Sequence, residues 1–540
     1  MPTRALVLAL ATAGCASAVG QDGDGGARPP PHVFLSLDRA DVIGDQVAGT
    51  VNVTGCDAVA HARLLLRGAA LAEVAFDGGP TRFSLGTERF AGLWPQLGLA
   101  AQLALSAEAV CGDGRSNTSP PVSATFFPVA SRVSLAGDGG QVVPDAFLAQ
   151  GGVAGRAVGF LGCVGTARGA TALAVTDAQG VVTAQNDQLP FPCGAATQLS
   201  DRAGPGGVRW VLEPGQGAYA VDGALRVLKT LVHTVRRMGV STATGTAIFW
   251  DEDLSSPRLW KLEPLASAAG DWTVAWPGTM NADPVVDVAR GSVWVSGWQA
   301  VMGSGHADVV VSRLELATGA LLNLASDGNG PPIVIRQFFG VDQQPPAPAG
   351  AFSADGRVLY LALTATDAAG HVRTTVQACA TASLVGGCLD PDLRWTSTSF
   401  DGALSLLVPF AGGTLVAAVG PFQTWFLSAA DGSTQNLGGR PIAPTGSLQV
   451  LGAQPGQGTD FFLLHGPVGA SGAGFPTEAV AVDAPAGGEL YRFGFGSGAS
   501  PAAGLTLGVD EAGQAWFRVG QDLVKPLPLA TYRGMRGLTP

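Results

Sequence analysis

Lysine is nearly missing from this chain of 540 residues: it stands only at Lys229, Lys261 and Lys525. Arginine supplies the rest of the 31 basic residues. That bias reads as a trait of a GC-rich genome, not as phosphate recognition. Charged side chains make up only 14 % of the chain, and the net charge is −11. Such a balance argues against nucleic acid or an anionic membrane surface as partner, because both are polyanions. No window of about 18 uninterrupted apolar residues occurs, so no transmembrane helix is expected. The six histidines are scattered singly. No Cys-x-x-Cys is present and no His sits at zinc spacing, so no metal is expected. There is no Gly-x-Ser-x-Gly elbow either, and no stretch rises to a catalytic motif.

Glycine and proline are plentiful, at 77 and 36, while hydrophobic residues reach 46 %. Many strands joined by many turns would give that pairing, and a disordered chain would not. The length allows one to four domains.

The clearest local signal runs from Gly350 to Leu363, GAFSADGRVLYLAL. Asp355 can bond the backbone two residues on, and Gly356 accepts a positive φ at no steric cost. Arg357-Val358-Leu359-Tyr360 then begins a strand that becomes apolar on both faces. The segment resembles the repeats of WD-like propellers found in bacterial periplasmic proteins, where a Phe-Ser-x-Asp-Gly-Arg turn opens a blade. That resemblance implies a fold and no function.

Looser copies recur from about residue 130 onward. Eight candidate units centre on 156–175, 208–228, 247–276, 285–319, the Asp355-Gly356 turn, 404–427, 461–493 and 505–527. The period is about 50 residues, in the propeller range, and irregular enough to leave seven and eight blades both open. Ring closure would bring Arg132-Val133-Ser134-Leu135 beside the last unit, because open edges invite aggregation. A parallel β-helix is the rival and would want a shorter, stricter period.

Ahead of that region, residues 32–129 carry short strand-like runs with Gly and Asp turns, which suggests a β-sandwich. The stretch resembles bacterial immunoglobulin-like modules in length and pattern. Trp94 lies between Cys56 and Cys111 but follows a turn-like Ala91-Gly92, so it is not equated with an immunoglobulin core Trp. The expected fold is therefore all-β: an N-terminal immunoglobulin-like β-sandwich followed by a seven- or eight-bladed β-propeller over 130–540.

Residues 1–17 read as a secretory signal, with Arg4 ahead of an apolar core from Ala5 to Ala11. Thr12-Ala13-Gly14-Cys15 resembles the bacterial lipobox, with Thr12 standing where that family prefers Leu. The resemblance implies lipidation of Cys15 and, with Ala at position 16, sorting to the outer membrane. Ordinary cleavage near Ala16-Ser17 is the alternative. Residues 18–31 form a tether of Gly, Asp and Pro. With Cys15 set aside, six cysteines remain. Locality pairs them as Cys56 with Cys111, Cys163 with Cys193, and Cys379 with Cys388, and an exported chain favours disulfides. Buried free thiols are the competing reading.

Few clusters could carry chemistry. Ala317-Thr318-Gly319 and Ala430-Asp431-Gly432-Ser433 resemble the blade-ending turns of quinoprotein-like propellers. In that family a Trp follows the turn and docks between blades; none follows here, and no cofactor is expected. Ser304, His306 and Asp308 are too close in sequence to form a triad readily, so Gly303–Asp308 reads as a glycine-rich loop. Asp251-Glu252-Asp253 lacks the spacing of a calcium loop and reads as a solvated turn. Asp22 and Asp24 belong to the tether. Trp294 and Trp298 share a face of one strand and suit packing between blades more than stacking on a sugar. The resulting expectation is a non-enzymatic envelope protein that binds a protein or glycan partner through a propeller face. A periplasmic propeller hydrolase or lyase acting on a glycan or peptide is the alternative. An enzyme would show His and carboxylates converging on the channel, whereas a binder would show an apolar or aromatic patch.

Overall fold

A computed structural model describes residues 28–37, 46–76, 79–86, 101–126, 129–134, 147–148, 160–165, 171–176, 182–193, 197–200, 204–241, 243–253, 256–265, 269–276, 278–301, 306–322, 333–338, 348–366, 369–381, 388, 393–436, 439–446, 448–466, 477–484, 488–495, 505–509, 513, 515–519, 522–526 and 529–535. Cys15, the tether dyad Asp22 and Asp24, and Trp94 lie outside them. None of the helices among these residues is long and apolar enough to cross a membrane.

The chain is all-β. Near its start, two sheets share one core. His32–Leu37, Gln46–Thr54 and Thr81–Gly86 form a three-stranded sheet, and Val59–Leu66 and Ala101–Cys111 form the centre of a five-stranded one edged by Ala69–Val74. Val33, Val51 and Phe83 from the first sheet meet Leu64, Leu103 and Leu105 from the second. Alternation explains this. In His32–Leu37 the residues at 33 and 35 are buried while 32, 34 and 36 are exposed, so one face packs and the other meets water.

Among the described residues, eight sheets follow in chain order. They begin with Phe147–Leu148, Gln198–Leu199, Val235–Val240, Thr279–Met280, Gly350–Phe352, Leu406–Phe410, Gln449–Pro455 and Leu505–Val509. Each is an antiparallel meander along its main path; in the fourth and fifth sheets extra strands also pair alongside inner ones. The eighth sheet is completed by the earliest strand of the region. Val129–Ser134 pairs antiparallel with Asp522–Pro526, with Ser134 opposite Asp522 and Ser131 opposite Lys525. The opening strands of the eighth and first sheets also lie against each other. The sheets therefore close into a ring, the architecture of a β-propeller, and the edge that an open array would expose is paired.

The ring has no single core. Instead, seven apolar clusters are each shared by two consecutive sheets. Trp210 and Val211 are adjacent in Arg209–Glu213 and point to opposite faces. Trp210 packs with Phe249 of the third sheet, while Val211 packs with Leu161 and Leu173 of the first. This is why the inner strands are buried at every position, as in Arg209–Glu213 and Ala247–Asp251. They read as unbroken apolar runs instead of an alternation.

The sixth sheet is the odd one. Its regular strands are only Leu406–Phe410, Leu415–Gly420 and Gln423–Ser428. Along the outer edge, the buried side chain of Asn436 stands in for a strand. Its Oδ1 accepts from Phe426 N–H at 2.6 Å, and its Nδ2 donates to Thr424 O at 3.3 Å. Isolated bridges from Thr434 and Ile442 pair the rest. A helix, Leu529–Met535, closes the chain. Tyr532 is fully buried against Tyr491 of the seventh sheet, 4.8 Å between ring centroids. Arg533 reaches Asp460 and Asp483 in that same sheet.

Candidate functional site

A meander ring has two ends. The first–second and third–fourth turns of each sheet gather at one, here the turn end. The second–third turns and the links to the next sheet gather at the other, the link end. The two ends differ in chemistry.

The turn end is structural. Asp355 accepts from Arg357 N–H at 3.1 Å and from the Ser353 hydroxyl at 2.6 Å, and Gly356 has φ +68°. The turn mechanism read from the sequence is present. Gly319 and Gly432, both at φ +72°, lie flat under indole rings, Gly319 under Trp272 and Gly432 under Trp395. Each of those Trp residues belongs to the preceding sheet and donates its indole N–H to a carbonyl of the same turn. Trp272 donates to Leu316 O and Trp395 to Ala429 O, both at 2.9 Å. Trp210 does the same to Gly245 O at 2.7 Å. The sequence reading looked for a docking Trp just after each turn and found none. The rings come instead from one sheet upstream. The signal that could have found them is an outer-strand Trp followed, one unit later, by a Thr-Gly or Asp-Gly turn. Trp294 is buried and Trp298 half-buried in one cluster between the fourth and fifth sheets, consistent with packing. His306 and Asp308 sit in a strand, His306–Glu315, not in a loop, and Asp308 is buried. Gly303–Gly305 fall outside the described residues.

Titratable groups lie at both ends: Asp460 and Asp483 hold Arg533 at the turn end, and the link end has a set of its own. Three buried side chains close the second strands of their sheets there: Glu213, Asp251 and His465. In two cases a threonine from the incoming link holds the carboxylate. The Thr197 hydroxyl lies 2.7 and 2.8 Å from the two Glu213 oxygens, and the Thr234 hydroxyl donates to Asp251 at 2.6 Å. Among the described residues no cation is paired with Glu213, which faces the apolar cluster around Tyr219. Burial therefore pushes its carboxyl up to about 7, and the Thr197 hydroxyl offsets only part of that. Burial would raise Glu478 as well. There the hydrogen bond from His465, the bond from Thr445 N–H and the Arg492 guanidinium at 2.7 Å outweigh it, and the carboxyl is held near 2.

Asp251-Glu252-Asp253 is solvated only in part: Asp253 is exposed and Asp251 is not. Asp251 is buried and lies 3.2 Å from His233 Nδ1, and Glu252 pairs with Arg236. The reason is strand position, since Asp251 ends the inward strand Ala247–Asp251. The half-exposed His233 ring stacks on Trp260 at 4.2 Å. Among the described residues no group of three His, Cys, Asp or Glu could hold a metal ion.

The six sequence-paired cysteines are bonded as three disulfides. Their Cα atoms are 5.5 Å apart for Cys56 and Cys111, 5.7 Å for Cys163 and Cys193, and 5.3 Å for Cys379 and Cys388, all within the ordinary bridge range.

Exposed apolar side chains complete the link end. Val372, Leu406, Phe422 and Leu451 are 42, 41, 57 and 42 % exposed. They come from the fifth, sixth and seventh sheets. Val372 and Leu406 open strands at this end, Phe422 forms a second–third turn, and Leu451 lies near the start of its strand.

No protein family matches the chain by sequence, and no curated protein matches it. Similar solved structures exist. BamB from Moraxella catarrhalis is 11 % identical over 74 % of this chain and 99 % of its own, with a TM-score of 0.41. TolB from Acinetobacter baumannii is 9 % identical over 64 % of this chain and 79 % of its own, at 0.29. The Dos1 propeller is 9 % identical over 92 % of this chain and 94 % of its own, at 0.31. The chain is thus a β-propeller protein, on the strength of its own closed strand pairing.

Proposed function

We propose that the protein is an exported, lipid-anchored envelope component that binds or scaffolds a partner through the link end of an eight-bladed propeller. Each of the eight sheets counts as one blade in this reading, residues 130–540 form the propeller, and residues 32–129 form an immunoglobulin-like module. Cys15 carries the lipid and sorts the chain to the outer membrane. One observation supports the binding role above the others: large apolar side chains stand exposed at the link end, while the charged groups beside them, Arg373 with Asp401 and Arg492 with Glu478 and Glu489, are turned on one another. A partner protein suits such a surface better than a glycan, which would want hydroxyl-bonding groups beside its aromatic platforms.

A photo-crosslinking side chain at position 422, introduced in the native envelope, should trap a protein. The same group at position 265, an exposed leucine at the turn end, should not. Equal labelling at both positions, or none at 422, would count against a binding face at the link end.

A single feature favours the hydrolase or lyase alternative. His233 is held through Nδ1, 3.2 Å from the buried Asp251, the placement a general base needs. Loss of turnover of an envelope glycan or peptide in His233→Ala, with the fold intact, would favour that reading. Unchanged partner capture by the same variant would favour the binder.

A further inference from the structure

The exposed apolar side chains stand on segments that are bonded to one another. Val372 O accepts from Gly402 N–H at 2.8 Å, and Gln423, next to Phe422, donates its side-chain amide to Asp401 O. Val450 N–H donates to Pro421 O at 2.8 Å, which sets Leu451 beside the Phe422 turn across the boundary between sheets. Leu406 lies opposite Val419 on the strand leading into that same turn. Backbone bonds thus tie the fifth, sixth and seventh sheets into one strip at this end. The charges beside it are already engaged. Arg373 sits 3.0 Å from Asp401, and Arg492 pairs with Glu478 and Glu489.

We propose that Val372, Leu406, Phe422 and Leu451 form a docking strip for one extended, apolar segment of a partner protein, a segment free of acidic residues. The proposal rests on the binding role above and gives it an address. Four anchors drawn from three successive sheets suit an extended chain with alternate residues directed at the strip. Paired neighbours offer no lone charge to recognise. The net charge of −11 disfavours an acidic segment, an anionic lipid surface and a second copy of this chain alike.

The test uses the full chain and a library of phage-displayed peptides about twelve residues long. Selected peptides should be rich in Leu, Val and Phe and poor in Asp and Glu. A soluble version of one should lose about tenfold or more in affinity for Phe422→Ser and for Leu451→Ser, and keep its affinity for Leu265→Ser. Unfolding curves that match the wild type keep the comparison fair, and Val372→Ser with Leu406→Ser replaces either variant that misfolds. Peptides that bind Phe422→Ser and Leu451→Ser as tightly as the wild type overturn the strip and leave the binding role standing. A library that yields no binder overturns both. A wild-type dimer in sedimentation that Phe422→Ser dissolves gives the strip to a second copy and overturns the proposed partner.

Discussion

Replacing Glu213 by Gln should change how stability responds to pH. Glu213 is 3 % exposed, at the boundary between the first and second sheets, and the Thr197 hydroxyl bonds it. Its carboxyl rises from 4.5 to about 7 on folding. An acid with a raised folded value binds its proton more tightly in the native state than in the unfolded one. Stability from this group is therefore complete below about pH 4.5, falls as pH climbs to 7, and stays low above that. At about 1.4 kcal/mol per unit, the fall amounts to about 3 kcal/mol. Glutamine cannot ionise. Its variant should match the wild type within about 1 kcal/mol near pH 4 and exceed it by about 2–3 kcal/mol near pH 8. Urea unfolding at half-unit steps from pH 4 to 8, followed by hydrogen exchange at the amides of 209–221, reads the difference directly. All other titrating groups are common to both proteins and cancel. Parallel pH profiles for the two chains would refute a buried, uncompensated carboxyl at this position.

Asn436→Leu should destabilise the sixth sheet by about 2–4 kcal/mol, because Phe426 N–H and Thr424 O each lose a buried partner; a denaturant midpoint shift measures it, and no shift means water replaces the amide. Gly432→Ala places a Cβ against the Trp395 ring at φ +72° and should cost about 2–4 kcal/mol. Trp395 fluorescence would report the displaced indole, and an unshifted spectrum would argue against the docking. Cys15→Ser should move the protein from the membrane to the soluble fraction, and equal membrane association of both forms would remove the lipid anchor.

Much of the ring could be read from the chain. Strands such as Val358–Thr366 follow at once from an Asp-Gly turn, and local signals of that kind survive folding. Buried inner strands show as apolar runs because both faces meet a neighbouring sheet. The turn end could have been read more fully. Its Trp-on-glycine contacts join one sheet to the next, so a search within each unit misses them. The link end was harder still. Glu213 looks like any glutamate in a strand, and only packing against Tyr219 and the Cys163–Cys193 region removes its water. Asp251 was read as solvated for the same reason, since three acidic residues in a row resemble a surface turn until the strand register buries the first. The apolar strip draws on three sheets about 80 residues apart from end to end (372 to 451), and only ring closure defines the end on which they gather.

That closure can be measured at one pair of positions. Ser131 and Lys525 face each other across the antiparallel joint between Val129–Ser134 and Asp522–Pro526. In the chain carrying Ser131→Cys and Lys525→Cys, mild oxidation of the folded protein should yield a single new cross-linked peptide joining 131 to 525, with the three native bridges intact. A closed ring requires that link. Failure to form it, or a link from 131 to any other sheet, would contradict closure and with it the two-ended surface on which the binding role depends.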